Sequence, residues 1–229
     1  MRISENVNMK IKALIFVFPA LIAFGNSLYA QAVSLFDGKT TAGWHSYLKT
    51  GPGAWSVVDS TLRLDPKAPD QGDLLTDKEY ENFELSLSWK ISKGGNSGII
   101  IGVHEDREFS ETYMTGMEMQ VLDDKRHSDR KNPTHRAGAL YDLRAPSEAA
   151  KPAGEWNDVK IRKENGHLTF WLNGAKVIET QIGSPEWKAM VEKSKFKDWK
   201  GYAAYPKGHI ALQDHGDVVS FKNIEIKEL

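Results

Sequence analysis

The sequence has no cysteine, a formal net charge of only −1 over 229 residues, and no apolar run of membrane-spanning length. Without cysteine there is no disulfide to stabilise the chain, so its core and its sheets must hold it together. A balanced charge guarantees no basic face, so a nucleic-acid partner is not expected. The sequence also has no internal repeat, no linker and no second domain, and only one segment has the features of a helix.

The N-terminal region has the three parts of a secretory signal. Lys10 and Lys12 supply positive charge, residues 13–24 form an apolar run, and Ala30-Gln31-Ala32 is a cleavage site of the A-x-A type. The apolar run has twelve residues, fewer than the roughly 20 that a membrane-spanning helix needs. No cysteine follows the run to carry a lipid. We therefore expect residues 1–32 to be removed and the protein to be exported, to the periplasm or beyond, free of the membrane.

The remaining residues, 33–229, predict one all-β domain. Phe83–Ile91 is the clearest strand, because apolar and polar residues alternate along its nine positions. Asn173-Gly174 predicts a tight hairpin. One helix is predicted from Pro185 to about Lys195, with Ser184 as its N-cap. The other predicted strands are residues 55–58, 61–64, 74–76, 97–101, 117–121, 138–141, 156–162, 168–172, 175–180, 208–213 and 218–227. Many short strands with turn signals between them are typical of a sandwich or jelly roll.

The stretch of residues 116–123, Gly-Met-Glu-Met-Gln-Val-Leu-Asp, has an unusual polar face. Apolar residues at 117, 119 and 121 alternate with Glu118 and Gln120, which predicts a strand with one buried side and one polar side. Asp123 comes one residue out of phase, and a strand that ends or bulges at residues 121–122 would return it to the side of Glu118. The pattern fits a solvent-exposed strand face as well as the floor of a site, and this stretch alone leaves both open.

Seven short motifs then occur in order along residues 34–229. They are Leu35-Phe36-Asp37-Gly38-Lys39-Thr40 with Gly43-Trp44, Asn96-Ser97-Gly98-Ile99, Glu118-Met119-Gln120-Val121-Leu122-Asp123, Gly154-Glu155-Trp156-Asn157, Leu172-Asn173-Gly174, Ile210-Ala211-Leu212-Gln213-Asp214-His215-Gly216 and Phe221-Lys222-Asn223-Ile224. Together they resemble the 3-keto-disaccharide hydrolase domain family of the concanavalin-like lectin/glucanase superfamily. The resemblance implies a two-sheet antiparallel jelly-roll sandwich with a sugar cleft on its concave sheet, here with one short helical insertion. It also implies a carbohydrate substrate, namely a glycoside already oxidised at C3.

A ketone at C3 acidifies the proton on C2, so the glycosidic bond can leave by elimination and water can add afterwards. Such a site needs a base, an acid for the departing oxygen, and donors for the enolate. We predict Glu118 as the base and Asp123, or a nearby histidine such as His135, as the acid. The candidate substrate-binding residues are Asn96, Gln120, Tyr141, Gln213, His104 and Arg136, with Lys90 as a further cleft residue. The amide of Asn96 also fits a purely structural role in its turn.

Two other functions stay open at this point. The Glu-x-Gln-x-x-Asp spacing is similar to the Glu-x-Asp-x-x-Glu strand of laminarinase-type glucanases, but it differs at the middle and last positions. A retaining mechanism of that type would need the carboxyls of Glu118 and Asp123 to lie about 5–5.5 Å apart. The third possibility is a non-catalytic, lectin-type carbohydrate-binding module, which needs aromatic rings and amides but no base. The oligomeric state and the particular glycoside do not follow from the sequence.

The roles of the histidines and tryptophans are also open. His104 with Glu105, together with Glu118 and His135, are candidate ligands of a divalent metal ion, although they have no spacing signature. No other cofactor is implied. His215, in the turn Asp214-His215-Gly216, fits either a structural hydrogen bond or catalysis. Trp44 and Trp171 fit either the core or a sugar-stacking platform, and the polar loop of residues 124–136 fits a solvated surface or the rim of a sugar site.

Overall fold

Two antiparallel β-sheets packed face to face make up most of the computed structural model, which describes Met1 and residues 31–229. Their strands are β1 (Val33–Ser34), β2 (Trp44–Ser46), β3 (Trp55–Val58), β4 (Thr61–Leu64), β5 (Leu74–Thr76), β6 (Phe83–Ile91), β7 (Asn96–Val103), β8 (Met117–Leu122), β9 (Asn157–Glu164), β10 (His167–Leu172), β11 (Ala175–Gln181), β12 (His209–Leu212) and β13 (Val219–Glu228). The helix α1 (Pro185–Glu192) and short 3-10 helices at Thr112–Met114, Ser128–Lys131, Pro133–His135 and Lys195–Asp198 lie between strands.

The large sheet has the strand order β11-β10-β9-β6-β13-β4-β3, with β1 added alongside β13. The small sheet has the order β2-β5-β12-β7-β8, and every paired strand in both sheets is antiparallel. This arrangement confirms the predicted all-β, two-sheet jelly-roll sandwich with one short helical insertion. Within Met1 and residues 31–229, no helix is long and apolar enough to cross a membrane. The predicted signal, residues 1–32, lies almost entirely outside the described residues.

Alternation along the strands decides which side chains fill the space between the sheets. In β6, Phe83, Leu85 and Leu87 are buried in the core, while Glu84 between them reaches the outer face and pairs with Lys160 at 3.1 Å. In β8, the residues at 117, 119 and 121 enter the same core. In these two strands the polar residues therefore lie on the face turned away from the core, as a period of two requires.

Strand β8 ends at Leu122, and its register with β7 continues without a bulge to the pair Asn96↔Leu122. Of the two predicted alternatives, an end or a bulge at residues 121–122, the structure has the end. Asp123 begins the loop after the strand, and its backbone N–H donates to the carbonyl of Gly95.

Three other predictions differ from the structure. Residues 138–141, predicted as a strand, follow the edge of β8 with only isolated bridges, because left-handed φ angles at Gly138 and Asp142 turn the chain away. The helix ends at Glu192, and Ser194 caps a separate 3-10 turn that begins at Lys195. The strands β1 and β2, of two and three residues, were not predicted.

Candidate active site

A cavity of about 170 Å3 opens on the face of the small sheet that is turned away from the core. Its floor comes from β7, β8 and the end of β12, and its walls come from the loops and 3-10 helices above them. The residues that line it are Asn96, Tyr113, Glu118, Gln120, Tyr141, Lys195, Gln213 and His215.

The register of the small sheet brings the floor residues together. Glu118 stands opposite Ile100 on the neighbouring strand, and Gln120 stands opposite Gly98. The backbone N–H of Gln213, just after the end of β12, donates to the carbonyl of Gly98 at 2.9 Å. This hydrogen bond places Gln213 in line with Gly98 and Gln120. Directly opposed residues in an antiparallel pair project from the same face. Glu118, Gln120 and Gln213 therefore share one surface.

Gly98 leaves the space that the Glu118 side chain occupies. A Cβ atom on residue 98 would lie 2.8 Å from both Cγ and Cδ of Glu118, which is far inside van der Waals contact. The φ angle of Gly98 is not in the left-handed region, so the backbone itself would accept another residue. Glycine is needed here because the carboxyl of Glu118 lies across it.

One wall of the cavity comes from the segment after α1. The ammonium of Lys195 lies 4.4 Å from the ring centroid of Tyr141 and 5.7 Å from that of Tyr113, within the range of cation–π attraction. The backbone N–H of Lys195 donates to Asp142 at 3.0 Å. The other oxygen of Asp142 lies 3.1 Å from Nε2 of His135, whose ring stacks on Tyr141 at 4.4 Å. His135 thus supports Tyr141 from behind.

Asp73 connects two other walls. One of its carboxylate oxygens accepts the backbone N–H of Asp214 at 2.8 Å, and the other is hydrogen-bonded to the hydroxyl of Thr112. Asp214 precedes His215, and Thr112 precedes Tyr113. Burial raises the pKa of Asp73 to about 6, although both hydrogen bonds oppose the rise. Asp73 lines no part of the cavity, yet it fixes the two segments that bring Tyr113 and His215 to it.

Glu118 is a buried carboxyl with little compensation. Only 7% of the surface of Glu118 is exposed to solvent. Burial raises the pKa of Glu118 from 4.5 to about 8, the positive charge of Lys195 lowers it partly, and Asp73 adds to the rise. Within the described part of the chain, no cationic group lies within 4.0 Å of this carboxyl. A carboxyl with a pKa near 8 can exchange a proton near neutral pH.

Two amide atoms at the cavity are buried without a hydrogen-bond partner among the described residues. They are Oδ1 of Asn96, an acceptor, and Nε2 of Gln120, a donor. Buried polar atoms are normally paired, because an unmade bond costs about 1–3 kcal/mol. Both residues line the cavity, so each has hydrogen-bonding capacity left for a group that enters it, Asn96 as an acceptor and Gln120 as a donor.

The raised pKa of Glu118 predicts a pH-dependent stability. Because the fold favours the protonated form, Glu118 destabilises the protein progressively as pH rises from 4.5 towards 8, by at most about 5 kcal/mol. Glu118→Gln is therefore expected to match the wild type in Tm at pH 5 and to exceed it at pH 8.5. Thermal unfolding at both pH values measures this difference. The titration of Asp73, whose pKa is also raised, contributes to the Tm of both proteins and drops out of the comparison. Parallel Tm curves would contradict the raised pKa.

Five of the residues predicted for the site do line the cavity: Glu118, Asn96, Gln120, Tyr141 and Gln213. Asp123 does not line it. Its carboxylate accepts the backbone N–H groups of Gly94 at 2.7 Å and Lys125 at 2.9 Å. Burial tends to raise the pKa of Asp123, but these hydrogen bonds outweigh it and the pKa is lowered. The structure thus gives Asp123 the geometry of a loop-capping residue.

The remaining predicted residues lie away from the cavity lining. His135 stands behind Tyr141, and the ring of His104 stacks on Tyr205 at 3.9 Å. Nε of Arg136 donates to the carbonyl of Arg130 at 3.0 Å. The four candidate metal ligands are not brought together, since Met1 and residues 31–229 contain no group of three or more His, Asp or Glu placed to hold a metal ion.

The tryptophans and Lys90 are also away from the site. Trp44 is in the core, with its Nε1 donating to the carbonyl of Leu35 at 2.7 Å. Trp171 and Lys90 lie in hollows on the outer face of the large sheet. The sequence interpretation left out Tyr113 and Lys195, which lie on the short 3-10 helices Thr112–Met114 and Lys195–Asp198, and it left His215 open.

The cavity contains one carboxylate, Glu118, among the eight described residues that line it. A retaining glucanase needs a second carboxyl about 5–5.5 Å from the first. Asp123, the predicted partner, is engaged with backbone N–H groups and does not line the cavity.

The two-sheet antiparallel jelly roll places the protein in the concanavalin-like fold class. Residues 31–227 match the family model of the 3-keto-alpha-glucoside-1,2-lyase-like domain, and the chain belongs to this family. A 3-keto-disaccharide hydrolase of Bacteroides thetaiotaomicron is 34% identical over 226 residues, which cover 86% of this chain and 78% of that protein. The chain is accordingly an enzyme of the glycosidase type, a carbohydrate hydrolase.

Solved structures agree with this assignment. A protein of Parabacteroides distasonis, provisionally named a glycosyl hydrolase, has a crystal structure with a TM-score of 0.81 and 31% identity, covering 86% of this chain and 94% of that chain. The exoplasmic/lumenal domain of VIP36, in a form bound to Ca2+ and Man3GlcNAc, has a TM-score of 0.54 and 13% identity, covering 86% of this chain and 88% of that chain. At that identity, VIP36 shows the shared fold alone.

Proposed function

We propose that this enzyme cleaves the glycosidic bond of 3-keto-glycosides by elimination followed by hydration, with Glu118 as the proton-transfer group. The relative from B. thetaiotaomicron, by its name, acts on a 3-keto-disaccharide. The observation that carries the proposal is the single buried carboxyl with a pKa near 8, beside unpaired amides and with no second carboxyl on the cavity. Elimination from a 3-keto sugar needs one base, whereas direct displacement needs two carboxyls.

In the first step, the carboxylate of Glu118 takes the proton from C2 of the sugar. The C–H electron pair forms an enolate with the C3 ketone, and the C1–O bond to the leaving group then breaks to give a C1–C2 double bond conjugated to the ketone. Lys195 stabilises the negative charge that develops during this step, since its ammonium already lowers the pKa of Glu118.

The departing oxygen needs a proton. Among the described residues at the cavity, His215 is exposed at the end of β12 and is the only histidine in the lining, so we assign it as the proton donor. Tyr141 is not suited to give up a proton completely, because burial and the charge of Glu118 raise its pKa to about 12. Its hydroxyl instead serves as a neutral hydrogen-bond donor.

Hydration reverses the proton movements. Water adds to C1 and gives a proton to His215, and Glu118, whose carboxyl proton has exchanged with solvent through the cavity, protonates C2, so that atoms and charges balance and a free 3-keto sugar is released. The amides of Asn96 and Gln120 hold the ring through one accepted and one donated hydrogen bond. Both steps use the same carboxyl, first as base and then as acid.

The test is incubation of the purified protein with a glycoside and with its 3-keto form, side by side. Release of sugar from the 3-keto form alone is expected, since only the ketone acidifies the C2 proton. In deuterated water, the released sugar should carry deuterium at C2. Cleavage of the unoxidised glycoside at a similar rate, or release without deuterium at C2, would refute elimination.

The proposed base also predicts the pH dependence of kcat/KM. Since Glu118 must be deprotonated and its pKa is about 8, the acid limb of the kcat/KM profile should rise about tenfold per pH unit and end near pH 8. Lys195→Met should move the midpoint to higher pH, because the ammonium that lowers the pKa of Glu118 is lost. Lys197→Met, an exposed lysine on the same 3-10 helix, is the matched control and should leave the midpoint unchanged.

The comparison of the two lysine variants decides the assignment. A midpoint that stays near that of the wild type in Lys195→Met, or that shifts equally in Lys197→Met, would contradict the role of Lys195.

We also propose that the protein is exported. The support is the signal pattern of residues 1–32 described above. Sequencing the N-terminus of protein recovered from fractionated cells tests the proposal. A mature protein beginning near residue 33 in the exported fraction is expected, and an uncleaved protein in the cytosolic fraction would contradict it.

A further inference from the structure

A second, larger hollow lies on the opposite side of the molecule, on the outer face of the large sheet. Its volume is about 450 Å3, against about 170 Å3 for the Glu118 cavity. Small-molecule sites have volumes of roughly 300–1,000 Å3. We call this hollow the Trp156 groove and define it by the residues Arg63, Lys90, Trp156, Ser220 and Lys222.

The sheet register brings the charges of the groove together. Ser220 on β13 stands opposite Arg63 on one neighbouring strand and opposite Lys90 on the other. Because neighbouring strands are about 4.8 Å apart, the two cationic residues flank Ser220 with their backbones roughly 10 Å apart. Lys222 is two residues further along β13 and therefore projects from the same face. Three positive side chains thus surround one serine hydroxyl, which belongs to a buried residue.

These charges are not neutralised by the protein. Among the described residues, no carboxylate lies within 4.0 Å of the charged groups of Arg63, Lys90 or Lys222. Asp59 is the one acidic residue in the groove lining. Elsewhere on the same sheet face, in contrast, Lys160 and Arg162 pair with Glu84 at 3.1 and 3.5 Å. Like charges close together repel, so the groove favours an anion.

Trp156 adds an apolar surface to this cationic site. The ammonium groups of Lys90 and Lys222 lie 4.8 and 4.2 Å from the centroid of its ring, and cation–π attraction holds the ring against the charged residues. Trp156 is only partly buried, so part of its ring faces the groove. An aromatic ring beside several cations suits a ligand that has both an apolar ring face and a negative charge. Sugar rings with a carboxylate combine these two properties.

We infer that the Trp156 groove binds an acidic saccharide, one that carries a carboxylate on its ring, at a site separate from the Glu118 cavity. Arg63 is placed to hold the carboxylate through two parallel hydrogen bonds, as guanidinium groups do. Lys90 and Lys222 contribute as positive charges, and the ring face of the sugar packs on Trp156. The site lets the enzyme stay attached to an acidic glycan while the other face is free for catalysis.

The test is titration calorimetry of the purified protein with trigalacturonate, with galactotriose as a neutral saccharide of the same length and inorganic sulfate as a bare anion. Trigalacturonate is expected to bind at least tenfold more tightly than either control, and its affinity should fall as salt is added. Equal binding of galactotriose, equal binding of sulfate, or no binding of trigalacturonate would overturn the inference.

Variants locate the binding to the groove. Arg63→Gln combined with Lys222→Gln should weaken trigalacturonate binding at least tenfold, and Trp156→Phe should weaken it less, because phenylalanine keeps part of the aromatic surface. Lys160→Gln combined with Arg162→Gln removes two charges from the same sheet face and is the matched control. It should leave binding unchanged. Equal losses in the two double variants, with both folded by circular dichroism, would refute the site.

Discussion

Replacing Glu118 by glutamine is expected to lower kcat/KM on a 3-keto-glycoside by about 10³-fold or more, since a positioned base typically contributes 10²–10⁴-fold. Glutamine has nearly the size of glutamate, so the space over Gly98 stays filled and the cavity keeps its shape. The amide cannot accept the C2 proton. Initial rates of sugar release, measured at pH 8 with the wild type alongside, give the change.

Glu84→Gln is the matched control for this experiment. It makes the same chemical change on the outer face of the large sheet, where Glu84 pairs with Lys160 and Arg162. Its activity should remain within twofold of the wild type, because exposed ion pairs contribute little to stability and this one is remote from the cavity. A folded Glu118→Gln protein with full activity would exclude Glu118 as the base.

Gly98→Ala is expected to separate activity from stability. The added Cβ would lie 2.8 Å from Cγ and Cδ of Glu118, but the atoms it meets belong to a flexible side chain that can rotate away. The backbone at residue 98 accepts alanine without left-handed strain. We expect the free energy of unfolding to be lower than that of the wild type by about 1–3 kcal/mol, the usual range for overpacking. We expect kcat/KM to fall about 10²-fold, because a displacement of about 1 Å has this effect on a reacting group.

The double variant Gly98→Ala with Glu118→Gln shows whether the loss acts through the carboxyl. If alanine only displaces Glu118, the double variant should be as inactive as Glu118→Gln alone, a fully non-additive result. Activities that multiply instead would mean that Gly98 matters for another reason, such as direct approach of the substrate to the backbone.

The local alternation of apolar and polar residues predicts most of the strands. The nine alternating residues of Phe83–Ile91 were predicted with the bounds that the structure has, because both the strand and its burial depend on a period of two. The strand predicted at residues 138–141 was wrong because the backbone there follows β8 only briefly. The left-handed φ angles that end this pairing depend on tertiary contacts. The strands at Val33–Ser34 and Trp44–Ser46 are defined by their pairing with β13 and β5, which no local pattern reveals.

Of the residues that line the cavity, those on or beside predicted strands, including Tyr141, were predicted from the sequence, whereas Tyr113 and Lys195 on short 3-10 helices were not. Glu118, Gln120 and Gln213 follow from strand phase and from the motifs. Lys195 reaches the cavity only because its backbone N–H is held by Asp142 in a distant loop. Asp123 is adjacent in sequence to the site strand, but the ladder ends one residue before it and its carboxylate caps a neighbouring turn.

The hydrogen bonds of Asp73 have a consequence for any attempt to redesign substrate choice. They join Asp73 to segments that lie 39 and 141 residues away from it in the chain. The two walls that contain Tyr113 and His215 are therefore held to the same carboxylate. Exchanging only one of these loops to admit a bulkier sugar would remove one hydrogen bond of Asp73 and so displace the other loop as well. A wider cavity therefore calls for both loops to be exchanged together, with a new bridging residue at position 73.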